Sequence, residues 1–214
     1  MEPDFWRKRW QDNQIHGFHE GRPNAFLEAH MDRLDLPAGA RVFLPLCGKT
    51  RDIAWLLSQG FKVAGAELSR IAVEQLFDEL DVAPEVSPAG PLERFSAEDI
   101  DIFVGDIFDL DAGTLGKVDA VYDRAALVAL PPQMRPRYAA HLVAVSARAP
   151  QLMVSFTYDQ SLMPGPPFCV PVEETHGLYD AHFRVAELAS AEVPGGLKGI
   201  CPAREHVWLL KPAG

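Results

Sequence analysis

At 214 residues, the chain has the length of one domain. With 48% hydrophobic and 23% charged residues it holds enough apolar material for a packed core, which excludes a disordered chain. Its 30 acidic residues outnumber 20 basic ones, and the resulting formal charge of −10 argues against nucleic acid as the main partner, because phosphate backbones demand clustered cations.

Glu2-Pro3-Asp4 opens a predicted helix running to about Gln14, with Pro3 tolerated in a first turn. Phe5, Trp6 and Trp10 recur at helical spacing and give it an apolar face, while Arg7, Lys8 and Arg9 read as its solvated face. The N-terminal MEPDFWRKRW lacks the apolar core of a signal peptide, and no stretch approaches the roughly 18 apolar residues of a membrane span. A cytoplasmic location with no membrane partner is the default expectation. His16 and His19 have no partner ligands nearby, and no metal site is expected. Asn24 is a candidate cap for a second helix to about Leu34.

Arg41–Leu46 reads as a short buried strand with Pro45 at its end, since proline cannot donate within a central ladder. Gly48 turns the chain into a helix bearing Ile53, Ala54, Leu56 and Leu57, which Gly60 ends. Lys62–Glu67 is a second strand, and Ser69 caps a helix to about Leu80. A proline-rich connection leads to a third strand, Asp101–Val104, and Val118–Tyr122 is a fourth. Pro131-Pro132 precedes a helix to about Ala147, and Gln151–Tyr158 is a fifth strand. A short helix is predicted around Glu173–Tyr179. Strands near Phe183–Leu188 and His206–Leu210 follow, paired antiparallel as an edge hairpin. Cys47, Cys169 and Cys201 form an odd, widely spaced set and no disulfide framework. Strands separated by helices predict right-handed crossovers. The expected architecture is α/β: a Rossmann-like, doubly wound, mostly parallel sheet of about seven strands, in a single domain over residues 1–214, with residues 1–35 as an N-terminal helical lid segment.

In open α/β sheets, ligands collect beyond the carboxyl ends of the strands. Those ends deliver Leu46-Cys47-Gly48-Lys49, Glu67, Gly105-Asp106-Ile107 and Asp123-Arg124, so polar or turn-forming residues stand at all four. Glu67 lies 19 residues after Gly48 (67 minus 48). An acid about 20 residues past a glycine turn can accept both hydroxyls of a ribose, because a carboxylate offers two acceptor oxygens in one plane. The alternative is a carboxylate favoured by the N-terminus of the next helix. Gly48-Lys49-Thr50 resembles the end of a P-loop, but Phe43 stands where that motif needs a glycine, and no G-x-G-x-x-G follows the first strand. A ligand without a phosphate fits better. Arg124 reads equally as half of a structural ion pair, with Asp123 as one partner, or as a guanidinium that forks onto a carboxylate or an electron-rich substrate. Trp6, Trp10 and Phe18 are core residues or parts of a lid.

Six blocks carry a family resemblance. They are F-W-x-x-x-W with N-Q-I and G-F-H-E within Phe5–Glu20, V-F-L-P-L-C-G-K at Val42–Lys49, and G-A-E-L-S at Gly65–Ser69. The rest are G-D-I-F-D-L at Gly105–Leu110, V-Y-D-R-A-A-L-V-A-L-P-P at Val121–Pro132, and Y-D-Q with P-G-P-P-F from Tyr158 to Phe168. The chain resembles the thiopurine S-methyltransferases, especially bacterial ones, over about three quarters of its length. The resemblance implies S-adenosylmethionine as cofactor and methyl transfer to a thiol or related soft nucleophile, selenium and tellurium species included. Trp10 would cover the cofactor, the Leu46 backbone would face its methionyl part, Glu67 would hold the ribose, and Asp106 and Ile107 would flank the adenine. Arg124 would line the cofactor site near the acceptor, and Phe18 would border the acceptor pocket. The sequence departs from the family in residues 190–204, a segment shorter and poorer in arginine than in bacterial members. The acceptor is expected to be a small molecule and the protein a monomer. The rival readings are methyl transfer to an oxygen or nitrogen of a small metabolite, and a non-catalytic nucleoside-binding regulator of the same fold.

Overall fold

Strand β1 (Arg41–Pro45) is buried from Val42 onward, and a strand with no exposed face belongs inside a sheet covered on both sides. The computed structural model, which describes residues 3–15 and 21–213, has that arrangement. β1 pairs in parallel with β2 (Lys62–Glu67) on one side and β6 (Ala120–Arg124) on the other. β2 continues in parallel to β5 (Ile100–Val104), and β6 to β7 (Gln151–Tyr158). Antiparallel strands extend both flanks: β4 (Leu92–Ala97) and β3 (Glu85–Ala89) beyond β5, and β9 (Ala203–Pro212) and β8 (Phe183–Glu192) beyond β7. The order is β3-β4-β5-β2-β1-β6-β7-β9-β8. The winding direction reverses between β1 and β6, the place where such sheets open a crevice.

Seven α-helices are described: α1 (Pro3–Gln11), α2 (Ala25–His30), α3 (Arg51–Ser58), α4 (Arg70–Leu80), α5 (Ala112–Leu115), α6 (Arg135–Val145) and α7 (Val172–Tyr179). Successive strand residues serve opposite layers, as the pleat requires. Phe43, Val121, Met153 and Trp208 meet Leu127, Tyr138, Leu142 and Tyr179 on the α6–α7 side. Val42, Leu44, Ile102 and Leu152 meet Leu27, Ile53, Leu56, Val73 and Phe77 on the α2–α4 side. The caps lie where the sequence put them. Asn24 accepts from the N–H groups of Phe26 and Leu27, and Ser69 accepts from that of Ala72.

Two expectations change. The sheet has nine strands where about seven were expected, chiefly because the supposed proline-rich connection is the hairpin β3–β4. Its turn is Gly90-Pro91, with Gly90 at φ +64°, and a positive-φ glycine before a residue of fixed negative φ matches a type II′ turn. Pro88 is tolerated because β3 is an edge strand. The first helix ends at Gln11, and the second passes into a 3-10 turn over Met31–Leu34. Among the described residues, no helix is long and apolar enough to cross a membrane, and no group of three metal-ligating side chains converges.

Candidate functional site

A cavity of about 780 Å³ lies beyond the carboxyl ends of β1, β2, β5 and β6, within the range of roughly 300–1,000 Å³ usual for ligand pockets. Trp10, Leu46, Glu67, Asp106, Ile107 and Arg124, which the sequence assigns to one site, all line it. Phe18 lies outside the described residues, as do His16 and His19.

The chain leaves β1 through a sharp turn. Leu46 is left-handed at φ +49° and Gly48 at φ +54°, a conformation that costs a side-chain-bearing residue such as Leu46 local strain. A Cβ placed on Gly48 would sit 3.5 Å from the Trp10 ring, so the Trp10 indole packs over this turn. Glu67 is 6% exposed and pins the turn from β2. Its Oε2 accepts the Gly48 N–H at 2.8 Å, and its Oε1 accepts the Ser69 N–H at 2.8 Å. The two alternatives for Glu67 are sterically compatible. The carboxylate supports the start of α4 and also faces the cavity, where a further acceptor lone pair per oxygen suits two ribose hydroxyls. Burial raises its pKa, and the N–H donors of Ser69 and Gly48 oppose that shift. Cys47 lines the same wall; burial, reinforced by the Glu67 charge, pushes its thiol pKa well up, so it stays protonated and a poor nucleophile.

Asp106 follows β5, and its Oδ1 accepts the Phe108 N–H at 3.0 Å, which starts the short helical turn Ile107–Asp109. Ile107 is buried, Phe108 lies beneath the Arg137 guanidinium at 3.8 Å, and both line the cavity beside the Asp106 carboxylate.

At the end of β6, Asp123 is fully buried. It accepts the Leu127 N–H at 3.1 Å and the Tyr138 hydroxyl at 2.8 Å. Burial pushes its pKa up to about 6. Arg124, one residue on, is half-buried and lines the cavity, and Ala125 turns the chain at φ +62°. Asp123 thus fixes the turn that carries Arg124.

The remaining wall was not legible as site from residue patterns. It comprises Phe156, Pro166, Pro167, Leu197 and Lys198, with Val128, Ala129 and Leu130 beside Arg124. Tyr158 and Gln160 hold it: the Tyr158 hydroxyl donates to Pro167 O at 2.6 Å. Gln160 donates to Met163 O at 2.6 Å and accepts the Cys169 N–H at 2.9 Å. Phe168 N–H donates to Val128 O at 2.6 Å and ties this loop to the turn after β6.

Comparison with known proteins follows the same lines. The family model described as thiopurine S-methyltransferase matches residues 1–211. A thiopurine S-methyltransferase of Xanthobacter autotrophicus is 67% identical over 213 residues, 100% of either chain. One of Gluconobacter oxydans is 49% identical over 208 residues, 97% of this chain and 94% of the relative. In fold, the chain resembles the Burkholderia thailandensis 1,6-didemethyltoxoflavin-N1-methyltransferase, solved with 1,6-didemethyltoxoflavin and S-adenosylhomocysteine bound. The TM-score is 0.64 at 18% identity, over 98% of this chain and 87% of that one.

Proposed function

The chain belongs to the thiopurine S-methyltransferase family and is an S-adenosylmethionine-dependent methyltransferase; from that premise we propose that its acceptor is a small thiol or a related soft nucleophile. When bound, the cofactor supplies a methyl group made electrophilic by a sulfonium sulfur. The residues fit such a ligand: Gly48 leaves backbone exposed beneath Trp10, and Glu67 faces the cavity with acceptor capacity to spare.

The roles then divide as follows. Trp10 covers the cofactor, and the N-terminal segment to residue 35 serves as lid to the single domain. The Leu46 backbone faces the methionyl part, Glu67 holds the ribose, and Asp106 and Ile107 flank the adenine. Arg124 orients the acceptor, whose pocket Phe18 borders. The observation that carries the thiol reading is the match of the thiopurine S-methyltransferase family over residues 1–211, and the described lining is consistent with it. Among the described lining residues the only carboxylates are Glu67 and Asp106, both tied to backbone N–H groups, and none is a histidine. Such a site suits an acceptor that needs no general base. A thiol with a pKa near 8.5 is partly thiolate at neutral pH, and the charge of Arg124 favours that form. The same argument extends to selenium and tellurium nucleophiles.

The test is transfer of radiolabel from S-adenosylmethionine to a panel of S, Se, Te, O and N acceptors. Sulfur, selenium and tellurium acceptors are expected to lead oxygen and nitrogen ones in kcat/KM by about 100-fold, a discrimination of roughly 2.7 kcal/mol. Transfer confined to oxygen or nitrogen would overturn the acceptor assignment. Cofactor binding without transfer to any acceptor would point to the regulatory alternative.

A further inference from the structure

The connection between β8 and β9 brings a cation, Lys198, to the cavity wall. Ile200 N–H donates to Leu197 O at 3.0 Å across a tight turn. Its two central residues, Lys198 at φ +53° and Gly199 at φ +68°, are both left-handed, as in a type I′ turn. Asparagine or glycine is the usual choice at the first of these positions. Lysine there carries a steric cost, and local strain of this kind gathers at ligand-binding positions. The turn is held from both sides. Leu197 N–H donates to Cys201 O at 2.8 Å, and both residues are buried with Met163 and Ala203. The Lys198 ammonium donates to Pro166 O at 2.8 Å, which ties the turn to the loop over the cavity.

Among the described residues, the cations lining the cavity are Lys49, Arg124, Arg137 and Lys198. Lys49 is paired with Glu79 at 2.7 Å, and Arg137 lies on the Phe108 ring, both on the nucleoside side. Lys198 lines the cavity beside Pro166, in the loop that follows β7, whereas Glu67 ends β2 and Asp106 follows β5. Partial withdrawal from water, with Arg9 of α1 nearby, lowers its pKa. An anion bound beside it would offset both effects.

We propose that Lys198 is a specificity residue that selects thiol acceptors bearing an anionic substituent, such as a carboxylate, away from the reacting sulfur. The inference rests on the thiol reading above. The experiment compares 4-mercaptobenzoate with 4-methylbenzenethiol, two thiols that differ in the charge of the substituent opposite sulfur. Lys198→Asn suits the left-handed turn and removes the cation, so the melting temperature is expected to hold or rise. KM for 4-mercaptobenzoate should rise about tenfold, the scale of one charge-assisted hydrogen bond. KM for 4-methylbenzenethiol and both kcat values should stay within about twofold, and Lys198→Arg should restore most of the preference. Equal losses for the two thiols would overturn the proposal and leave Lys198 a clamp on Pro166. Calorimetry with the thioether 4-(methylthio)benzoate, on protein saturated with S-adenosylhomocysteine, reads the subsite without turnover. Weaker binding to Lys198→Asn supports the anion subsite even if neither thiol is methylated, which would sink the thiol reading alone. Methylation of both thiols by the unaltered protein with no preference between them would sink the subsite alone.

Discussion

Glu67 accepts the N–H groups of Gly48 and Ser69 with one oxygen each, so Glu67→Gln must turn an NH2 toward one of two donors. The variant is expected to bind S-adenosylmethionine about tenfold more weakly and also to melt earlier, because a buried N–H left facing an NH2 costs about 1–3 kcal/mol. Calorimetry and thermal unfolding check the two effects, and weaker binding at an unchanged melting temperature would separate the ribose role from the turn. Asp123 supplies a pH signature. Its folded-state pKa of about 6 exceeds the ordinary aspartate value near 3.9, so the folded protein binds more protons than the unfolded chain between those values. Its contribution to stability is therefore lost as pH rises from about 4 to about 6, amounting to about 3 kcal/mol above that window. Asp123→Asn can accept from Leu127 and donate to the Tyr138 oxygen. It should match the unaltered protein near pH 4 and exceed it in unfolding free energy near pH 7. Taking the difference between the two proteins cancels Asp101 and Asp119, whose depressed pKa values act in the opposite direction. A difference that stays flat across the window would show that Asp123 titrates normally.

The parallel strands β1, β2, β5, β6 and β7 were legible because burial on both faces leaves near-continuous apolar runs. The residues following such runs identify the crevice, so Leu46, Glu67, Asp106 and Arg124 could be gathered from sequence alone. The hairpin β3–β4 lacks that signal: β3 is largely exposed, and only Leu92 and Phe95 of β4 are buried. Its Pro88 and Gly90-Pro91 read as loop, when they mark an edge strand and a tight turn. Lys198 was illegible for another reason. Its role depends on a turn near the end of the chain reaching Pro166, and such a contact has no periodicity to betray it. Helix α1 poses the same problem in reverse, since its aromatics could have been core or lid. With the Trp10 ring over Gly48, Trp10→Ala should raise the dissociation constant for S-adenosylmethionine about tenfold while moving the melting temperature little, because the helix lies at the rim. Isothermal titration and a thermal scan provide the check, and a large melting shift with unchanged affinity would make α1 a structural brace.

At the scale of the whole molecule, nine strands end in two edges, β3 and β8. An unguarded edge offers unpaired N–H and C=O groups to any other strand that meets it. Pro88 removes one donor from β3, and β8 carries a register shift between Glu187 and Ala189, a bulge that bends the ladder out of line. Both edges are therefore poor templates for a second copy, and sedimentation is expected to give a monomer. Pro88→Val supplies a donor and a β-branched side chain beside exposed Val86. Its kcat/KM should be unchanged, since β3 is remote from the cavity, while turbidity on heating should appear at lower temperature and rise more steeply with protein concentration. Identical turbidity for the two proteins would assign the protection to the bulge in β8. On the expected outcome Pro88 matters through the encounters it prevents, and its value becomes visible only when many copies are crowded together.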